Sequence, residues 1–198
     1  MDIEPVVLQG RIVRLEPLQQ DHAPDLTMAA QDERIWRYML YGNINNEDRM
    51  RTWIADLLNR QSGGTDLPFA VICLETGHAI GATRFMDIRK EHRGLEIGGT
   101  WYASEFHGTL VNKESKYLLL RHAFEVFDCL RVQFKTDLRN TRSQHAIESL
   151  GAVKEGILRN HMITPEGVIR DSVYYSIIAD EWPGVKAHLN ARLYLESY

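Results

Sequence analysis

The sequence is poor in the features that mark several protein classes. Only two cysteines, Cys73 and Cys129, occur in 198 residues. Each lies in an apolar run, which suits a buried reduced thiol better than a disulfide framework. No Cys-x-x-Cys pair and no His-Glu-x-x-His occurs, so no zinc site is expected. Asp171, His122 and His145 stand at no ligand spacing either. No apolar run approaches about 18 residues, so no membrane-spanning segment is expected. Met1 to Pro5 has neither the basic nor the apolar region of a signal peptide, and a cytoplasmic location follows by default. Positive charge is not in excess: 23 Lys and Arg stand against 27 Asp and Glu, a net charge of −4. That speaks against a general nucleic-acid binder. No fixed-period repeat and no low-complexity tract is present. No Gly-x-Gly-x-x-Gly follows a strand, which speaks against a dinucleotide-dependent oxidoreductase.

What is present is an ordinary globular composition, with 44% hydrophobic and 25% charged residues. The length suits one domain over residues 1–198 with one sizeable core. Val6 to Leu15 reads as a strand or hairpin turning at Gln9-Gly10. Asp21 is placed to cap a short helix over Pro24 to Ala30. Asn46 is placed to cap a second, to about Asn59, with Met50, Trp53, Ile54, Leu57 and Leu58 as its apolar stripe. Gln61 to Asp66 reads as a flexible loop. Strands follow over Phe69–Leu74, Ala79–Asp87 and Leu95–Tyr102, the first two joined by a hairpin turn at Glu75–His78.

A long helix is predicted over Lys113–Phe127, then a strand over Arg131–Thr136. Asn140–Leu150 reads as a helix ended by Gly151 at C′. Strands over Val153–Leu158 and Val173–Ile178 flank a turn at Thr164–Gly167. A last helix runs from Pro183 to about Leu195. Consecutive strands imply antiparallel pairing, and the strand–helix–strand stretch from residue 95 to 136 implies one parallel crossover. The expected class is α/β, a mixed sheet with helices on its faces.

Chemistry concentrates between Leu95 and Gly151. The loop Ser104 to Asn112 opens a long helix, whose first N–H groups have no internal partner and favour anions such as phosphate. Gly108 would let a phosphate approach the backbone, while Thr109 and Asn112 offer polar side chains. Downstream, Asp137, Asn140 and Ser143 either cap a helix or form a polar cluster at a strand end, where ligands of α/β sheets bind.

Together these runs carry a resemblance. Leu95-Glu96-Ile97-Gly98, Phe106-His107-Gly108-Thr109-Leu110-Val111-Asn112, Thr136-Asp137 with Asn140 and Ser143, and Leu150-Gly151 to Arg159 resemble the GNAT superfamily of N-acetyltransferases, most closely its RimJ/RimL-type branch. The resemblance covers most of the chain. It implies a central, mostly antiparallel mixed sheet with splayed middle strands and helices on both faces. It implies acetyl-CoA as co-substrate, its pantetheine arm along the strand near Trp101 and Tyr102. The pyrophosphate is then expected on the loop His107, Gly108, Thr109, Leu110, Val111 and Asn112. Asn140 is expected at the pantetheine arm or fixing the strand end. Ser143 matches a position expected to protonate the departing thiolate. The loop departs from the family's usual Gln/Arg-x-x-Gly-x-Gly/Ala by Glu105 and Leu110, and fits a Gly-Thr-x-Val-Asn version better.

The implied activity is transfer of acetyl from acetyl-CoA to a primary amine, by direct attack in a ternary complex. The acceptor is a small molecule or a protein N-terminus. The amine is mostly protonated at neutral pH, so a base or water relay is needed. Glu96 on the strand is the first candidate, with an ion-paired strand residue as the plain reading. His161 is the alternative, and Tyr174 and Tyr175 are possible donors. Trp36, Tyr38, Met39 and Tyr41 either wall the acceptor site or pack the core. Trp182, Tyr194 and Tyr198 either pack on the core or make a homodimer contact. Because of Glu105 and Leu110, a non-catalytic acyl-CoA-binding or interaction module of the same fold is the competing reading.

Overall fold

The computed structural model describes residues 1–194. Its eight strands are β1 (Leu8–Gln9), β2 (Val13–Pro17), β3 (Leu67–Cys73), β4 (Ala79–Arg89), β5 (Gly94–Tyr102), β6 (Arg131–Asp137), β7 (Val153–Ile163) and β8 (Ile169–Ile178). They form one sheet in the order β1-β2-β3-β4-β5-β6-β8-β7. Every neighbouring pair is antiparallel except β5 and β6, which run parallel. The helices are α1 (Ala23–Ala29), α2 (Glu47–Ser62), α3 (Leu110–Glu125), α4 (Thr141–Glu148) and α5 (Trp182–Tyr194).

Helices cover both faces of the sheet. All seven residues of β3 are buried, as a strand covered on both sides requires. Phe69 and Val71 join Phe85, Leu119 and Leu189 in the core beneath α3 and α5. Ala70 and Ile72 join Leu26, Ile54 and Trp101 beneath α1 and α2. Asn46 caps α2 as expected, its side chain accepting from the Arg49 N–H at 3.0 Å. Met50, Trp53, Ile54 and Leu57 are buried, and Leu58 packs partly buried beside them.

Several boundaries differ from expectation. Asp21 does not cap α1. It lies in a single 3-10 turn, Gln20–His22, that runs directly into the helix, and His22 takes the N-cap position. The long helix starts at Leu110 rather than Lys113, because Thr109 caps it and Val111 is already core. Gly151 follows Ser149, the C-cap of α4, by two residues and has φ +93°. Strands β7 and β8 run to the turn at residues 164–167 instead of stopping at Leu158 and starting at Val173. The last helix starts at Trp182; Leu195 and Tyr198 lie outside the described residues. Trp182, by contrast, packs on the core, stacked on Phe124 at 5.3 Å. No helix among the described residues is long and apolar enough to cross a membrane.

One buried carboxylate ties distant parts of the chain together. Glu114 on α3 accepts from the backbone N–H groups of Arg11, Ile12 and Val13 at 2.9, 2.7 and 2.8 Å. The Tyr194 hydroxyl donates to it at 3.2 Å. A Cβ on Gly10 would lie 2.3 Å from Glu114 Oε2, so only glycine lets the β1–β2 turn close over it. The clamp fixes α3, and with it the loop that precedes the helix.

Candidate active site

The parallel pair β5–β6 is short. Only Gly94, Leu95 and Glu96 pair, with Arg131, Val132 and Gln133. Beyond that point the strands separate. β5 continues along β4 to Tyr102, and β6 continues along β8 to Asp137. Their facing edges, over residues 97–102 and 134–137, therefore lack ladder partners among the described residues. Between them opens a cleft of about 500 Å³. Unpaired backbone groups at such an edge need partners from water or a ligand.

A bulge shapes the β5 wall. Ala82 pairs with Trp101 and Arg84 with Gly98, so Thr83 faces both Gly99 and Thr100. Gly99 has φ +58°, and a Cβ there would meet Arg84 Cζ at 3.0 Å. Glycine is needed on both counts.

At the mouth of the cleft stands the N-terminus of α3. Its first turn contains no acidic residue, which favours an anion there. Gly108 has φ +78°, and a Cβ on it would meet nothing within 4 Å, so the approach to its backbone is open. His107, Gly108 and Asn112 line the cleft. Thr109 spends its hydroxyl on the loop and the cap, donating to the Phe106 carbonyl at 2.8 Å and accepting from the Val111 N–H at 3.3 Å. Val111 is core, and the Leu110 side chain points outside the lining. Glu105 is exposed and also outside it.

His107 is a strut. Its Nε2 lies 3.1 Å from the Tyr102 carbonyl and its Nδ1 lies 2.9 Å from Arg142 Nη1. Arg142 can only donate, so Nδ1 accepts and the ring is neutral with its proton on Nε2. Burial, then the Arg142 charge, holds His107 below the usual imidazole range. Arg142, on α4, thereby brings a guanidinium to the loop.

Asn140 caps α4 by accepting from the Ser143 N–H at 3.1 Å, and both side chains line the cleft. Glu96 is buried at the fork of the V. Its Oε2 accepts from Gln133 Nε2 at 3.1 Å and lies 3.5 Å from Lys135 Nζ. Trp101 and Tyr102 line the β5 wall, with the Tyr102 phenol pushed up by burial. His161 stands outside the lining, its Nδ1 3.0 Å from Ser172 Oγ. Burial, then Lys135 and Arg170, depress it. Tyr174 packs on His161 at 5.7 Å, and Tyr175 turns to α4, donating to Glu148 at 2.9 Å.

Tyr38, Met39 and Tyr41 line the opposite end of the cleft. Trp36 is core, joined with Tyr41, Trp53 and Trp101 in a closed ring of contacts at 5.0–6.1 Å. Arg170 donates to the Tyr38 carbonyl at 3.2 Å and so pins this wall to β8. Motif reading passed over Lys116, Arg142 and Arg170, because each reaches the cleft only through long-range contacts.

Comparison with known proteins gives consistent results. The family model of the acetyltransferase (GNAT) domain matches residues 13–153. The "Putative ribosomal N-acetyltransferase YdaF" of Bacillus subtilis (strain 168) is 28% identical over 173 residues, covering 87% of this chain and 92% of its own. The crystal structure of a "putative acetyltransferase" from T. thermophilus is 42% identical with a TM-score of 0.89, covering 98% of this chain and 100% of that one. Mycobacterium smegmatis RimJ, in complex with CoA-disulfide, shares the fold at a TM-score of 0.78 and 21% identity, over 95% and 91% of the two chains.

Proposed function

We propose, from the premise that this chain belongs to the GNAT acetyltransferase family in its RimJ/RimL-type branch, that it moves an acetyl group from acetyl-CoA to a primary amine. The amine belongs to a small molecule or a protein N-terminus, and residues 1–198 act as one domain. One observation carries the donor assignment: the facing, unpaired edges of β5 and β6. A chain bearing amides, as pantetheine does, pairs with such an edge as an added strand would. The acid-free start of α3 and the open backbone at Gly108 suit a pyrophosphate at the same mouth. When bound, acetyl-CoA supplies the acyl group as a thioester.

The residues then divide the work. Glu96, buried at the fork, takes the proton of the attacking amine, directly or through water. Backbone N–H groups of the β5 edge face the acyl oxygen. Ser143, at the start of α4, offers a hydroxyl to the departing sulfur. Tyr38, Met39 and Tyr41 form the acceptor end. The exposed Glu105 stands away from the phosphate path, and Arg142 compensates for the cation the loop lacks.

The test is thiol release from acetyl-CoA across a panel of amines and N-terminal peptides. Turnover with at least one acceptor is expected; no turnover with any, despite tight acetyl-CoA binding, would overturn the enzyme assignment. The Arg142 role makes a separate prediction. Arg142→Ala weakens acetyl-CoA about tenfold by calorimetry, the loss of one exposed charge-assisted contact. Acetyl-pantetheine, which lacks the pyrophosphate, is bound equally by both proteins. Equal affinity for acetyl-CoA would remove Arg142 from the site.

A further inference from the structure

The cleft holds one buried cation that no carboxylate among the described residues neutralises. Lys116 on α3 is almost fully buried and lines the cleft. Its Nζ donates to Thr83 Oγ1 at 3.2 Å and to Thr100 Oγ1, at the bulge of β5. No carboxylate lies within salt-bridge distance of it among the described residues. Of the other cations of the cleft, Arg60 is exposed to solvent and the rest have partners. Arg84 Nε lies 3.0 Å from Asp66, off the line of a hydrogen bond. Lys135 faces Glu96 at 3.5 Å. Arg170 is 4.0 Å from Asp137, and Arg142 is held by His107. Burying an ammonium without a counter-charge is costly. Such a group in a cleft points to a negative charge supplied by the ligand.

We propose that Lys116 supplies the positive charge that offsets the negative charge left on the departing sulfur of CoA. The proposal rests on the reading of the cleft as an acetyl-CoA site. In the transfer the amine nitrogen bonds to the acyl carbon and the carbon–sulfur bond breaks. The electron pair of that bond stays on sulfur, and the amine proton leaves to Glu96 or water. Sulfur regains a proton from Ser143 or solvent as free CoA forms. Lys116 donates no atom to the product; its ammonium lowers the energy of the thiolate. Burial alone pushes Lys116 down to about 7. It is thus poised to hold its proton once an anion stands beside it. Besides the cations already named, the titratable groups facing the cleft are Glu96 and Tyr102 of β5, Asp137 of β6, His107 of the loop, and Tyr38 and Tyr41 of the segment before α2. None of them hydrogen-bonds Nζ.

The thiolate absorbance of bound CoA reads this directly. In the wild-type protein the bound thiol is expected to ionise at least about one pH unit below free CoA, as an opposite charge nearby requires. Lys116→Met should abolish that shift and weaken CoA more than acetyl-CoA. The variant is expected to fold, since Thr83 and Thr100 still bond each other at 2.8 Å. Lys116→Gln, which keeps polar contact with both threonines, serves as the second uncharged variant. A bound thiol that titrates alike in wild type and both variants overturns the role of Lys116. Failure of the wild type to bind either acetyl-CoA or CoA overturns the cleft assignment instead.

Discussion

Glu96→Gln lowers kcat by about 10²–10³-fold and leaves acetyl-CoA binding within about twofold of wild type. Glutamine keeps the shape and still accepts from Gln133, so the fork of the V stays packed. What it removes is the carboxylate proposed to accept the amine proton. Glu96 is 3% exposed, and it sits where β5 and β6 part, at the closed end of the cleft. A base placed there is shielded from bulk water yet opens on the reacting atoms. Lys135 at 3.5 Å keeps the carboxylate compensated while it waits. Steady-state kinetics on a responsive amine, with calorimetry for acetyl-CoA, separate the two effects. An unchanged kcat would move the base elsewhere, and His161→Ala would be measured next. His161 stands outside the cleft lining, which is why Glu96 takes precedence.

Glu114→Ala destabilises the fold by about 3–5 kcal/mol. Three backbone donors at the β1–β2 turn, one buried and two part-buried, lose their acceptor. The Tyr194 hydroxyl loses one as well. Glu114 and the Val13 N–H are fully buried, so water replaces the lost acceptor only in part. For a chain of this size the melting temperature should fall roughly 6–20 °C. Glu114→Gln retains one oxygen acceptor and should fall by less than half as much. The consequence extends to the site, since the clamp holds the helix whose N-terminus faces the cleft mouth. A Glu114→Ala protein melting within about 3 °C of wild type would show that the turn finds other partners.

The sequence made local features legible. Asn46 and Asn140 cap the helices expected of them, since an N-cap is a short-range device. The three consecutive strands and the crossover helix followed from apolar patterning. The GNAT fold was legible because several motifs recur in order, although no single one is decisive. Long-range geometry was not legible. Lys116 meets partners 16 and 33 residues away, and Arg142 meets His107 from 35 residues away. The bulge at Gly99-Thr100 has only the pair Gly98-Gly99 to signal it, which fits a bulge without placing it. The boundaries of β7 and β8 depart from the sequence pattern for a related reason. β7 is mostly exposed and its pairing with β8 is broken by two register shifts, so alternation is lost along it. Thr109 and Val111 show the limit of motif reading. Both stand in the matching loop, yet one side chain caps the helix and the other enters the core.

The central claim is that the splayed edges of β5 and β6 receive acetyl-CoA. A thermal melt with and without saturating acetyl-CoA, with NADH as the control nucleotide, tests it most directly. At 100 times its dissociation constant a ligand stabilises by about 2.7 kcal/mol. That corresponds to a rise of roughly 5–11 °C for a protein of this size. A rise of that order with acetyl-CoA, and none with NADH, is the predicted result. No rise at saturating acetyl-CoA, or an equal rise with NADH, would contradict the account.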